Sequence, residues 1–197
     1  MNTYKEFVNN NDTIIIRDAR EDDIPHLCEI YKYYTENTAI SFECAAPDEE
    51  EFLSRMKRIK QFYPYLTAEL NGQVIGYAYA APFVGRKAYE HSCELTIYLD
   101  RDHLKYGCGK LLYNTLEEIL SQMGIINMYA CIGSTENEDE YLTNNSPEFH
   151  EYMGFRQVGF FGKCGRKFGR WYDMIWMEKL IGKHIDNCSE PISYNEL

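Results

Sequence analysis

The sequence predicts one α/β domain built on a mixed, largely antiparallel sheet. Three observations predict it. Short β-branched or alternating runs recur along the chain. Amphipathic helical stripes interrupt them. An Asn71-Gly72 pair, the strongest short hairpin signal, stands between two of the runs. The chain has 197 residues, 45% of them hydrophobic, enough for one core. Residues 13–181 read as the domain, 1–12 as a short polar lead and 182–197 as a loosely structured tail.

Thr13 to Arg17 is a compact β-branched strand, and Asp22 or Asp23 can cap the helix after it. Ile24, Leu27, Cys28, Ile30 and Tyr31 recur at helical spacing. Thr38 to Ala46 has no such period and reads as a loop. Pro47 and the acids at 48–51 suit a helix start, continued by Phe52, Met56, Ile59 and Phe62. Strands at Leu66 to Leu70 and Val74 to Phe83 flank the Asn-Gly turn. In a third, Glu90 to Leu99, Glu94, Thr96 and Tyr98 face one way and Cys93, Leu95, Ile97 and Leu99 the other.

A turn at Gly107-Cys108-Gly109 opens a helix striped by Leu112, Leu116, Ile119, Leu120 and Met123, which Gly124 stops. Ile126 to Ile132 is a strand and 136–145 an acidic loop. Ser146 can cap a short helix ending near Gly154. Strands at Arg156 to Lys163 and Trp171 to Met177 close the domain. The order β-α-α-β-β-β-α-β-α-β-β gives six or seven strands and about four helices.

No apolar run is long enough for a membrane span, and the lead lacks the apolar centre of a signal peptide. A cytoplasmic protein is expected. The seven cysteines are scattered, without a C-x-x-C pair, which fits free thiols in a reducing compartment. His26, His91, His103 and His184 show no ligand spacing, so no metal is expected. The net charge of −11 leaves no basic footprint for nucleic acid. Aromatic clusters at 31–34, 62–65 and 160–161 read as core or dimer packing, and a homodimer is expected.

One turn can carry chemistry on its own residues. Lys105, Tyr106, Gly107, Cys108, Gly109 and Lys110 lie where a strand and turn lead into a helix. Backbone N–H groups at a helix start lack partners, and glycines let a phosphate approach them. Alone, the motif fits a phosphate loop or a plain tight turn.

The turn is one of several ordered blocks: Ile16-Arg17-Asp18-Ala19, Ile40-Ser41-Phe42, Tyr63 to Leu66, Tyr77 to Phe83, Arg86 to Tyr89, Glu94 to Leu99, Phe149 to Phe155 and Gly169 to Asp173. Through them the chain from Ile14 to Lys179 resembles the GNAT acetyltransferase superfamily, and within it the phosphinothricin acetyltransferase group. Two positions depart from the pattern. Leu104 stands where the pyrophosphate loop usually has Gln or Arg. Thr143 stands where an Asn is frequent, with Asn144 beside it.

The resemblance implies a GNAT fold and acetyl-CoA as co-substrate, held by the backbone of Ile97, Tyr98 and Leu99, by the turn and by Asn144. It implies direct attack by the amine of a small amino-acid-like acceptor, with Glu94 as general base. His150 or Tyr98 would protonate the leaving thiolate, and Phe42, Arg86 and Tyr89 would line the acceptor pocket. A protein or peptide acetyltransferase and a non-catalytic acyl-CoA-binding module are the alternatives. The first lacks a charged docking groove; the second would require the loss of Glu94 or a blocked cofactor slot.

Overall fold

The β-branched run at Ile14–Ile16 forms a strand, as its composition dictates, but it is the second of eight strands among the described residues. A computed structural model of the chain describes residues 3–9, 12–104 and 106–197. In chain order the elements are β1 (Thr3–Asn9), β2 (Asp12–Asp18), α1 (Ile24–Asn37), α2 (Glu49–Ile59), β3 (Tyr65–Leu70), β4 (Gln73–Pro82), β5 (Ser92–Leu99), α3 (Cys108–Gln122), β6 (Asn127–Ser134), α4 (Asn145–Tyr152), β7 (Arg156–Lys167) and β8 (Arg170–Leu180). The sheet order is β1-β2-β3-β4-β5-β6-β8-β7. Among these pairs only β5 and β6 run parallel.

Strand alternation gives the sheet two apolar faces. Leu66, Ala68, Ala78, Ala80 and Leu95 meet the Leu112–Leu116–Ile119–Leu120 stripe of α3 on one side. On the other, Tyr65, Val74 and Tyr77 meet Leu27, Ile30, Phe52 and Met56 from α1 and α2. The β3–β4 hairpin turns through Asn71 and Gly72 at φ 51° and 86°, the double positive-φ geometry that Asn-Gly favours. Asp48 caps α2, its carboxylate accepting from Glu51 N at 2.9 Å.

Four expectations are corrected. The eighth strand is β1, within the segment read as a lead. An edge strand needs only backbone pairing, here with β2, so its polar composition did not mark it. Residues 182–197 are docked: Ile192 N–H donates to Met123 O and Tyr194 N–H to Phe62 O, while the Tyr194 hydroxyl bonds Asp18 and Tyr4. Such isolated anchors leave no periodic pattern in sequence. Asp23 holds the N-cap position of α1, but its carboxylate, committed to Arg17, accepts from Arg20 N and makes no capping bond to that helix. Asn144, not Ser146, holds the N-cap position of α4, and no side-chain bond caps it.

Arg17 is 2% exposed and joins β2 to the start of α1. Its guanidinium donates twice to Asp23, at 2.7 and 2.8 Å, and once to Glu69 at 2.6 Å. These bonds hold the Asp23 carboxyl below its ordinary pKa against the opposing cost of burial. Arg17→Met leaves two desolvated carboxylates without their cation. Urea unfolding at neutral pH should show a loss of about 3–5 kcal/mol, the usual result of breaking a buried pair. A depressed carboxylate pKa contributes stability only while the group is charged. The deficit should therefore shrink as pH falls below about 4.

Candidate active site

Parallel strands β5 and β6 pair through Ser92, Cys93 and Glu94 against Asn127, Met128 and Tyr129. Beyond that point no pairing continues. β4 still holds β5 as far as Leu99, and β8 still holds β6 as far as Ser134. The backbone edges of 95–99 and 130–134 therefore face one another across a gap. The gap is a cleft of about 420 Å³, lined among others by Glu94, Ile97, Tyr98, Ala130, Ile132 and His150.

Glu94 stands where the strands part. It has no hydrogen-bond or ion-pair partner among the described residues, and burial raises its carboxyl pKa above the ordinary range. A half-buried carboxylate with a raised pKa and an open cleft before it can accept a proton near neutral pH.

His150 is 3% exposed on α4. Its Nδ1 lies 2.7 Å from the Ser146 carbonyl, and its Nε2 lies 2.9 Å from the Tyr113 hydroxyl. A carbonyl only accepts, so Nδ1 carries a proton. Burial lowers the imidazole pKa, which favours the neutral ring with Nε2 as acceptor from Tyr113. Tyr113 also lines the cleft, and the sequence reading missed it. The available signal was helical spacing: Tyr113 follows Gly109 by four residues and so shares its face of α3.

The turn before α3 has the geometry of an anion site. Gly107 occupies the N-cap position at φ 81°, where an added Cβ would meet open space. Its requirement for glycine is thus conformational. The first bond within the helix runs from Leu111 N–H to Gly107 O at 3.1 Å, so the amides of Cys108, Gly109 and Lys110 precede the helical ladder. Free N–H groups around a glycine turn fit a pyrophosphate.

The expected cofactor residues differ in what they can offer. The Cys108 side chain is buried in the core, leaving only its backbone for a ligand. Lys110 Nζ bonds the Tyr152 hydroxyl at 2.9 Å, and Tyr106 and Leu104 are exposed. Lys105 lies outside the described residues. The Leu99 carbonyl accepts from the Tyr34 hydroxyl at 2.5 Å. Asn144 does not line the cleft; its amide donates to Thr135 O at 3.1 Å and steadies the loop before α4.

The expected acceptor residues divide. Phe42 lines the cleft from the α1–α2 loop. Lys167, buried on β7, anchors that loop by donating to Ser41 O at 2.6 Å. Arg86 and Tyr89 lie in a 3-10 turn between β4 and β5 and do not line the cleft. Tyr89 packs edge-on to Phe83, which stacks on Tyr129, the strand neighbour of Glu94. Among the described residues, no group of three or more His, Cys, Asp or Glu side chains could hold a metal.

Comparison with known proteins agrees with the fold. A family model described as an acetyltransferase (GNAT) domain matches residues 16–176. A phosphinothricin N-acetyltransferase of Streptomyces viridochromogenes is 31% identical over 165 residues, 83% of this chain and 86% of the relative. An L-methionine sulfoximine/L-methionine sulfone acetyltransferase of Salmonella typhimurium is 27% identical, spanning 88% of this chain and 99% of its own. A solved phosphinothricin acetyltransferase from Sinorhizobium meliloti, in complex with acetyl-CoA, superposes with a TM-score of 0.81 at 32% identity. That match covers 90% of this chain and 92% of the other.

Gly165 sets the place of Phe42. A Cβ added there would lie 2.2 Å from the ring of Phe42, a 38% exposed side chain that must shift to admit it. Gly165→Ala should therefore cost little stability, within about 1 kcal/mol by thermal unfolding. It should raise KM for the acceptor several-fold and leave KM for acetyl-CoA within about twofold, measured by thiol release. Equal changes in both KM values would remove Phe42 from the acceptor side.

Proposed function

The chain belongs to the GNAT acetyltransferase family, and from that premise we propose that it transfers acetyl from acetyl-CoA to the amino group of a small amino-acid-like acceptor of the phosphinothricin or methionine sulfoximine kind. The observation that carries this reading is the parting of β5 and β6 at Glu94, which puts a carboxylate at the mouth of a gap with two free backbone edges.

The geometry supports a role for each part of the site. The edge of Ile97 to Leu99 would pair with the amides of the pantetheine arm, as an added strand would. A backbone N–H on that edge would stabilise the oxyanion formed at the acetyl carbon. The amides after Gly107, with Lys110 nearby and Lys105 two positions before Gly107 in sequence, would hold the pyrophosphate. The acceptor arrives as an ammonium, and Glu94 takes its proton, directly or through a water.

His150 lines the same cleft; Nε2 accepts from the Tyr113 hydroxyl in the neutral ring, and a ring that has gained a proton at Nε2 would pass it to the leaving sulfur. Tyr98 is the competing acid, but its ring packs between Tyr31 and Tyr34, which suits a wall better than a donor. Arg86, which does not line the cleft and has no side-chain partner among the described residues, would reach the acceptor's carboxylate only by a movement of the 86–89 turn.

Two further expectations are carried as part of this reading. Seven free cysteines suit a reducing cytoplasm. Val158, Phe160, Phe161 and Trp171, all about half exposed on the β7–β8 edge, suit a homodimer contact there. No helix among the described residues is long and apolar enough to cross a membrane.

Glu94→Gln tests the base. It keeps the side chain's size and should leave acetyl-CoA binding intact, read as the rise in melting temperature on adding acetyl-CoA. It should lower kcat on the order of 10²-fold or more. In the parent, kcat/KM should fall as pH drops through a pKa above the usual carboxylate range, because only the charged form accepts the proton. That limb should vanish in the variant, and high pH should partly rescue it by supplying free amine. A variant with parental kcat at neutral pH would contradict the assignment.

A further inference from the structure

Behind the transfer cleft lies a second compartment of about 210 Å³. It shares Tyr31, Glu43, Thr96 and Tyr98 with the cleft and extends beneath α2 to Tyr65, Tyr77 and Tyr79. Its size is below that of a cavity holding a whole small ligand, about 300–1,000 Å³. It suits one portion of a ligand whose remainder occupies the cleft.

The far wall is unusual in its polar groups. Tyr65 and Tyr77 are 2% and 1% exposed, yet neither hydroxyl has a hydrogen-bond partner among the described residues. Neither is sealed in the core without a partner, as the Thr35 and Thr67 hydroxyls are. The compartment is the space they open on. Their rings stack on each other at a centroid distance of 5.8 Å and on Tyr79 at 4.7 Å (Tyr65) and 6.4 Å (Tyr77), planes within 21°, so the ring positions are fixed by packing. A buried hydroxyl left unpaired is costly, and one aimed into a cavity is relieved by whatever fills it.

The charges around the compartment exclude one class of occupant. Arg55 is its one cation among the lining residues, and two carboxylates hold that guanidinium: Glu43 at 2.7 Å and Glu51 at 2.8 Å. The three groups sum to −1, and Glu94 adds another carboxylate in the adjoining cleft. An anionic side chain would find no unpaired cation and two repelling carboxylates.

We propose that this compartment receives the side chain of the amino-acid acceptor, and that the Tyr65 and Tyr77 hydroxyls select an uncharged side chain bearing hydrogen-bond acceptor oxygens over an apolar or an anionic one. The inference rests on the acetyltransferase reading of the cleft and narrows its two kinds of acceptor to the sulfoximine kind. A sulfone or sulfoximine meets the requirement; a thioether lacks the oxygens, and a phosphinate or carboxylate carries the wrong charge. Discrimination arises because a substrate without the oxygens leaves the buried hydroxyls unpaired.

The test is a comparison of kcat/KM, by coenzyme A release at neutral pH, for methionine sulfone, methionine, glutamate and phosphinothricin. The sulfone should exceed each of the others by roughly tenfold or more. Tyr77→Phe and Tyr65→Phe remove only a hydroxyl. Each should cut the sulfone-to-methionine ratio roughly tenfold, the worth of one hydrogen bond, while KM for acetyl-CoA stays within about twofold. A purely structural role would not move that ratio. A parental ratio near one, a ratio unchanged in both variants, or phosphinothricin preferred over the sulfone would overturn this assignment and leave the acetyltransferase reading standing. Failure to acetylate any of the four, with acetyl-CoA still raising the melting temperature, would overturn the acceptor class and this inference together.

Discussion

Two parallel strands that pair for three residues and then separate create a particular kind of surface: two rows of backbone donors and acceptors, each held rigid from behind, neither satisfied in front. β4 supports β5 through Leu99 and β8 supports β6 through Ser134, so neither edge can relax by collapsing onto the other. Unsatisfied backbone groups within a fold are costly, and a ligand with amides of its own can relieve that cost. Position follows from the same constraint. Glu94 is the last residue of β5 in the pairing, so its carboxylate stands where the gap begins.

The surrounding elements are arranged about that opening. α3 packs its leucine stripe on one face of the sheet and presents its N-terminal turn to one end of the gap. Tyr113, one turn in, reaches the His150 ring, which the Ser146 carbonyl orients. On the opposite face α1 and α2 cover the tyrosines of β3, β4 and β5, and the α1–α2 loop brings Phe42 and Glu43 to the cleft. That loop is tied down by Lys167 from β7, and Gly165 leaves room for its phenylalanine. The far edge of the sheet thus positions the loop that carries Phe42 into the cleft.

Local pattern accounts for what the sequence could show. The Leu112–Leu120 stripe, the Asn71-Gly72 turn and the alternation of β5 are each written within a few residues, and all three are present. The Gly107 turn is legible the same way, whereas Glu94 is singled out as a candidate base by the family resemblance alone. What escaped depends on distant partners. β1 is defined by its pairing with β2, and the tail by single bonds to Met123 and Phe62. Tyr113 joins His150 across 37 positions, and no local pattern links them. The positions of Arg86 and Tyr89, away from the cleft lining, reflect the path of a loop that spacing alone does not define.

The central claim is that the gap between β5 and β6 is where acetyl-CoA lies. Amide hydrogen exchange with and without acetyl-CoA tests it most directly, since an added strand protects the edge it pairs with. The account predicts slowed exchange in two places: along 95–99 of β5 and at residues 107–110 before α3. Protection confined instead to the groove between α1 and residues 100–102, with the β5 edge unchanged, would contradict it.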